Sequence, residues 1–330
     1  MKTASKTALI FGVGGQDGSW LAQLLLEHGY SVHGTSRDRE ASGFTNLRRL
    51  GLFERVRLHS AVLTDFRSVV QVIHEVRPSE IYNLAGQSSV GLSFEQPVET
   101  LSSTTLGTVN ILEAIRFLGI EARFYNASSS ECFGNTEQGP ADESHPFHPR
   151  SPYGVGKAAA YWAVANYRES YNLFACSGIL FNHESPLRPS RYVTQKIVRG
   201  AADIAERKTD RLRLGQLAIE RDWGWAPEYV DAMWRMLNHD QPEDFVIATG
   251  EAHPLEEFVN AAFAYFGLDW RSHVEIDAGL LRPSDITHSV GNPQKAERLL
   301  GWQAQTKMPA MVHKLIDAEM ERRRGSLPAL

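Results

Sequence analysis

Three glycines at a fixed spacing, Gly12-x-x-Gly15-x-x-Gly18, stand between a short apolar run, Ala8–Val13, and an amphipathic stretch, Gln16–His28. No other feature narrows the fold as much. A strand that hands over to a helix through such a turn uses its glycines for a tight bend, for close approach of a phosphate to the backbone, and for close packing of helix on strand. The bend also aims a helix N-terminus, with Gln16 and Asp17 in its first turn, at an anion. Along the helix Trp20, Leu21, Leu24 and Leu25 share one face, and Gly29 closes it. Strand, turn and helix together predict the first unit of a parallel sheet with a dinucleotide pyrophosphate on the turn.

The sequence that follows repeats this unit. Ser31–Thr35, Val56–Ser60, Glu80–Leu84, Arg123–Ala127 and Ala175–Leu180 read as further strands, and Phe66–Val76, Val98–Leu118 and Pro152–Tyr171 as helices between them. Such alternation predicts an α/β fold, a Rossmann-type doubly wound parallel sheet covered by helices on both faces. After Asn182 the loop signals Ser185-Pro-Leu-Arg-Pro189, Gly215-Gln216, Gly250 and Arg282-Pro283 break the alternation. At 330 residues the chain exceeds the ~100–200 of a usual domain. Residues 1–182 are therefore expected to form the dinucleotide-binding domain. Residues 183–330 are expected to form a smaller, mixed α/β substrate lobe, some of whose strands and helices can return to the first domain.

A net charge of −5, with basic residues clustered only in short runs such as Arg48-Arg49 and Arg322-Arg323-Arg324, argues against a general nucleic-acid surface. No stretch approaches the ~18–20 apolar residues of a membrane span, and the first apolar run breaks into glycines too early for a signal-peptide core. Cys132 and Cys176, the only 2 cysteines, are too few for a disulfide framework or a thiolate zinc site. His145-Pro-Phe-His148 lies in a proline-bearing loop without helical spacing, so no metal is expected. The expectation is a cytoplasmic enzyme acting on a small molecule, with no nucleic-acid or membrane partner.

Tyr153 and Lys157 lie four residues apart near the start of a predicted helix, on one face of it. An ammonium there favours the phenolate and brings a group that normally titrates near ~10 toward service as a base. Alone such a pair is an ordinary surface feature; its weight comes from Ser129 and Glu131, just past the fifth strand on the same sheet edge. A hydroxyl polarises a sugar or carbonyl oxygen, and a carboxylate removes a carbon-bound proton or protonates a leaving hydroxyl. Asn83-Leu84-Ala85-Gly86-Gln87-Ser88 follows a strand on that edge, where ligands of open α/β sheets bind. Ser36-Arg37-Asp38-Arg39-Glu40 ends the second strand: an acid there suits the ribose of NAD and an arginine the 2′-phosphate of NADP, and both are present. Arg188, Lys196, Arg221, Arg282 and Asp285 come from separate elements of the second half; the cations suit a diphosphate and the aspartate ribose hydroxyls.

In order along the chain, these motifs resemble those of the extended short-chain dehydrogenases/reductases, and among them the GDP-mannose 4,6-dehydratase family. The resemblance runs from about Thr7 to Ala318 and rests on long segments: GVGGQDGS at Gly12–Ser19, IYNLAGQSSV at Ile81–Val90, SFEQP at Ser93–Pro97 and FYNASSSE at Phe124–Glu131. PRSPYGVGK at Pro149–Lys157, GILFNHESP at Gly178–Pro186, VTQKI at Val193–Ile197, RDWG at Arg221–Gly224, YVDAMW at Tyr229–Trp234 and IATG at Ile247–Gly250 extend it. It implies a redox cycle within one GDP-hexose, taking GDP-mannose to GDP-4-keto-6-deoxy-mannose on a tightly bound, internally recycled NADP(H). Tyr153, kept low in pKa by Lys157, would take the O4 proton as hydride leaves C4; Glu131 would take the C5 proton and assist loss of the C6 hydroxyl as water; hydride would return to C6. Ser129 matches the residue that hydrogen-bonds the O4 region.

By the same resemblance Gly12, Gly15, Gln16, Asp17 and Gly18 would hold the cofactor, with Arg37, Asp38 and Arg39 after the second strand. Leu63, Leu84, Ala85, Gln87, Tyr153, Lys157 and His183 would complete that site. Ser88, Asn182, Val193, Lys196, Leu214, Gly215, Arg221, Arg282 and Asp285 would line the GDP-sugar pocket, Asp285 standing where the family usually has glutamate. The family's Arg-Arg-Ser-Ser, which holds the NADP phosphate and reaches a neighbouring subunit, is here Asp38-Arg39-Glu40-Ala41. Two acids beside a phosphate are unfavourable, so NAD(H) stays open beside NADP(H), and a homodimer beside a homotetramer. The helices Leu101–Leu118 and Pro152–Tyr171 match the family's dimer face. Val62, Pro189 and Arg191 replace the family's usual aspartate, glycine and glutamate. Two further readings stay open: another GDP-sugar C4 oxidase, reductase or epimerase, for instance on a heptose, and a ligand sensor built on the same fold.

Overall fold

The computed structural model describes residues 6–325. The first half of the chain gives β1 (Thr7–Phe11), α1 (Gln16–Glu27), β2 (Ser31–Ser36), α2 (Thr45–Arg49), β3 (Arg57–Ser60), α3 (Phe66–Val76) and β4 (Glu80–Asn83). It continues with α4 (Val90–Glu95), α5 (Pro97–Leu101), α6 (Gly107–Leu118), β5 (Arg123–Ser129), α7 (Pro152–Tyr171) and β6 (Ala175–Leu180). The second half gives β7 (Asn182–Glu184), α8 (Val193–Ala205), β8 (Leu212–Leu214), β9 (Glu220–Trp225), α9 (Ala226–Leu237) and β10 (Phe245–Ile247). It ends with β11 (Ala252–Pro254), α10 (Leu255–Ala264), β12 (Val274–Ile276), β13 (His288–Ser289), α11 (Gln294–Leu300) and α12 (Met308–Arg323).

Seven parallel strands form the main sheet in the order β10-β6-β5-β4-β1-β2-β3. Its inner strands are buried on both faces, which is why they read as continuous apolar runs. Side chains alternate along β1: Ala8 and Ile10 join a core with Leu21 and Leu25 of α1, whereas Leu9 and Phe11 join one with Val69 and Ile73 of α3 and Ile111 and Ile115 of α6. The strand order reverses between β1 and β4. That switch point puts a crevice at the C-terminal edge of the sheet, where such folds bind ligands.

Two features depart from simple β-α repetition. The helix expected over Val98–Leu118 is broken by a π turn at Ser102–Leu106, so that α5 and α6 are separate helices. The strand beside β6, β10, comes from the second half, and α9 buries Tyr229, Val230 and Met233 in the core that also holds Leu21 and Leu25 of α1. The remaining second-half elements build their own core from α8, α10 and α12, with Ile197, Val198, Phe258, Phe263, Val312 and Ile316 fully buried. Small sheets β11-β9-β13, with β7 on β9, and β12-β8 bring residues of β7, β8 and β9 to the crevice. No helix among the described residues is long and apolar enough to cross a membrane.

Candidate active site

Between the sheet edge and the second-half elements lies a cleft of about 1010 Å³. Ligand pockets span ~300–1,000 Å³, so this one lies at the top of that range. Gly12, at φ 87°, makes the turn that opens it; a Cβ on Gly12 would come within 2.9 Å of the Ala85 backbone nitrogen. A Cβ on Gly18 would collide with the Gly12 carbonyl, so α1 can pack this close only on glycine. Gly15 is the N-cap of α1, no side chain caps that helix, and its first turn faces the cleft. A backbone cradle of this kind fits a dinucleotide pyrophosphate.

Asp17, in the first turn of α1, accepts a hydrogen bond from His183 Nε2 at 2.9 Å, while His183 Nδ1 donates to the Phe181 carbonyl at 2.7 Å. A carbonyl and a carboxylate can only accept, so both ring nitrogens carry protons and His183 is an imidazolium. Burial works against both charges. The His183 charge and hydrogen bond, with help from Gln16, nevertheless hold the Asp17 carboxyl down at about 2, and Asp17 in turn raises His183. The ring lies stacked on Tyr229, centroids 4.6 Å apart. One ion pair thus ties the glycine turn to β7.

Ser151 starts α7, its Oγ accepting from Gly154 N at 3.0 Å, with Pro152 in the first turn. This fixes where Tyr153 and Lys157 face the cleft beside Ser129 and Glu131 at the end of β5. Lys157 does not partner the phenol directly. Its Nζ donates to the Ala127 carbonyl at 2.6 Å and sits 5.7 Å from the Tyr153 ring centroid. Burial lowers Lys157 to about 8, close to neutrality, and burial raises the Tyr153 phenol despite the opposing pull of the Ser129 hydroxyl. The low phenol expected from Tyr-x-x-x-Lys spacing is therefore absent from this structure, in which the ammonium is held by a backbone carbonyl and desolvation disfavours the phenolate. Desolvation also raises the Glu131 carboxyl, against the attraction of Arg221 and Arg282.

Arg221 is 4% exposed and donates to Asp285 Oδ1 at 3.1 Å; Arg282 reaches the same oxygen at 3.3 Å. With Lys196 they form a cationic wall opposite the sheet edge, and Ser88, Asn182, Val193, Leu214 and Gly215 line the cleft beside it. Leu63, Leu84, Ala85, Gln87 and Arg37 line the other end. Asp38 and Arg39 do not line it. The Asp38 carboxylate accepts from the backbone N–H groups of Glu40, at 2.9 Å, and Ala41, at 3.2 Å, closing a turn; Arg39 pairs with Glu40 at 2.9 Å. The Asp38 side chain is used by its own loop, and that of Arg39 by Glu40 and the Leu58 carbonyl of β3.

Sequence reasoning missed Glu184 and Tyr192. Glu184 is buried and lies 3.4 Å from Arg188 Nε, whose guanidinium covers the Tyr192 ring at 3.9 Å, and the Tyr192 and Ser88 hydroxyls meet at 2.7 Å. Ser88 and Tyr192 are 104 residues apart, and no local pattern announces such a contact. Among the described residues no group of three or more His, Cys, Asp or Glu could hold a metal ion.

A sheet of this order, with Tyr153 and Lys157 beside its switch point and a nucleotide-sized cleft before them, defines an extended short-chain dehydrogenase/reductase that uses a nicotinamide dinucleotide. The UDP-glucose 4-epimerase of Thermus thermophilus, solved with NAD, has this architecture: TM-score 0.83, 25% sequence identity, 94% of this chain and 98% of that one covered. A family model described as GDP-mannose 4,6 dehydratase matches residues 9–315. GDP-mannose 4,6 dehydratase 2 of Arabidopsis thaliana is 44% identical over 96% of this chain and 87% of its own length, and the human GDP-mannose 4,6 dehydratase 42% identical over 95% and 91%. The chain belongs to the GDP-mannose 4,6-dehydratase family.

Proposed function

We propose that the protein converts GDP-mannose to GDP-4-keto-6-deoxy-mannose. The observation that carries this reading is Glu131, a half-buried carboxyl that desolvation raises against the attraction of Arg221 and Arg282, in the cleft that Tyr153 and Lys157 share. A carboxyl in that position is superfluous for oxidation or epimerisation at C4 and necessary for eliminating water across C5 and C6. Tyr153 accepts the O4 proton as the phenolate, a form that the Lys157 charge 5.7 Å from its ring centroid favours against the desolvation that raises it, and Ser129 holds that oxygen. A nicotinamide held on the glycine turn would supply an acceptor for the C4 hydride and a donor for its return to C6. Once C4 is a ketone, the C5 hydrogen is acidic; Glu131 takes it and delivers it to the departing C6 hydroxyl, and after hydride returns to C6 a proton from solvent reaches C5 through Glu131 while Tyr153 gives up the proton it took from O4. Lys196, Arg221 and Arg282 bind the diphosphate. Net atoms lost are one water, and no cofactor is consumed.

Arg37 at the cleft edge, with Asp38 withdrawn into its turn, supports NADP(H) over NAD(H). Residues 1–182 serve the dinucleotide and 183–330 mainly the sugar nucleotide, with α9 and β10 returning to the main sheet. Val98, Phe117, Val155 and Trp162, between 46% and 76% exposed on the helices α5, α6 and α7, support a homodimer through that face. Two buried, unbridged cysteines support a reducing, cytoplasmic setting. Purified protein incubated with GDP-mannose and no reductant should yield a product lighter by one water, without net change in reduced cofactor. Unchanged GDP-mannose in the presence of bound nucleotide would move the assignment to another GDP-sugar.

A further inference from the structure

The π turn at Ser102–Leu106 interrupts an otherwise regular helical stretch. Such turns hold an extra residue in the helix and recur at functional positions. Here three successive side chains make three different contacts. Ser103 Oγ accepts from the backbone N–H of Gln87 at 3.2 Å, in the cleft-lining loop after β4. Thr105 Oγ1 donates to the Gly156 carbonyl at 3.0 Å, and Gly156 lies on α7 between Tyr153 and Lys157. Thr104, 3% exposed, fills the space between: its Cγ2 is 3.3 Å from where a Cβ on Gly86 would sit, and its Oγ1 overlaps the place of a Cβ on Gly156. Neither Thr104 nor Thr105 lines the cleft, so neither can touch a ligand there.

We infer that this π turn is a clasp that sets the spacing between the Gly86-Gln87 loop and the Tyr153/Lys157 turn of α7, with Thr104 and Thr105 as positioning residues. The inference rests on the reading of Tyr153 as the proton acceptor in the proposed reaction. Its physical content is that α7 approaches the loop as closely as a threonine side chain between two glycines allows, its methyl toward Gly86 and its hydroxyl toward Gly156. A methyl on Gly156 would push α7 off Thr104, and loss of the Thr105 hydroxyl would free the Gly156 carbonyl from its cross-link. Displacements near ~1 Å at a reacting group cost on the order of 100-fold in rate.

Four variants test it: Thr105→Val, Thr105→Ser, Gly156→Ala, and Gly156→Ala combined with Thr104→Ala. Turnover of GDP-mannose gives kcat and KM, and hydrogen–deuterium exchange of the first turns of α7 gives a readout independent of turnover. Thr105→Val should lower kcat about tenfold, the scale of one hydrogen bond, with KM nearly unchanged and faster exchange in α7. Thr105→Ser should restore both. Gly156→Ala should lose about 100-fold in kcat, and the added Thr104→Ala should recover most of that by removing the colliding oxygen. Parental kcat and exchange in Thr105→Val, or a double variant no better than Gly156→Ala, overturns the inference. If Gly156→Ala does not fold, the Thr105 pair decides. A parent inactive on GDP-mannose refutes the functional reading alone, since the exchange comparison still tests the clasp.

Discussion

Replacing Asp17 by asparagine removes one charge from the pair that ties the glycine turn to β7 and keeps its shape. In the parent the carboxyl is held from an ordinary 3.8 down to about 2. At about 1.36 kcal/mol per pH unit this is about 2 kcal/mol of preference for the native ion pair. Asp17 and His183 side chains are 21% and 10% exposed, so solvent screening removes little of it. The Asp17 share is complete above the unfolded value near ~3.9 and fades as pH falls through about 2. The His183 share is complete below its unfolded value near ~6.5 and fades as pH rises through its higher native value. Stabilisation by the pair is therefore greatest between about pH 4 and 6.5. For 330 residues at ~2.1 cal/mol/K each, about 2 kcal/mol moves Tm by about 3 °C. Scanning calorimetry of the cofactor-free protein at about pH 5 to 9 should show Asp17→Asn melting about 3 °C lower at the acid end, the gap narrowing toward alkaline pH. Equal melting at pH ~5, or curves that stay parallel across the range, would refute the assignment of a charged pair.

Glu131→Gln should lower the dehydration rate by about 10²–10⁴-fold while leaving nicotinamide dinucleotide affinity within about twofold, as read by turnover and by fluorescence titration. Gly18→Ala should abolish cofactor binding or folding, because its methyl meets the Gly12 carbonyl; a melt and a binding titration on the same sample separate the two. Ser151→Ala should cost about 1 kcal/mol in denaturant unfolding through loss of the α7 cap, and Ser151→Asp should recover most of it.

The glycine turn, the inner strands and the long helix Pro152–Tyr171 were legible in the sequence because each follows from a local rule: a bend only glycine makes, burial on both faces, a serine cap followed by proline. The π turn was not, since Ser102-Ser103-Thr104-Thr105 carries no signal distinguishing it from α-helix, and the residues it meets, Gly86, Gln87 and Gly156, are distant in sequence. Nor was β10 legible, three residues long and paired with a strand from the other half. In the site, the face shared by Tyr153 and Lys157 was readable from helical spacing. The Lys157 bond to the Ala127 carbonyl was not, because a backbone oxygen has no letter of its own. Asp38 misled for a related reason: an aspartate after a strand looks the same whether it binds a ribose or closes its own turn.

The path of the chain between its cores limits how this enzyme could be rebuilt. After β7 the backbone visits the core of α8, α10 and α12, returns through α9 and β10 to the main sheet, leaves again through β11 and α10, comes back with α11 and ends in α12. Cutting at residue 182 would strip β10 from the sheet edge and α9 from α1, exposing apolar surface on the remaining piece. A graft that exchanges the sugar-recognising parts for those of a relative must therefore splice several separated segments at once. For the same reason the walls of the cleft are joined by several crossings of the chain rather than by one linker.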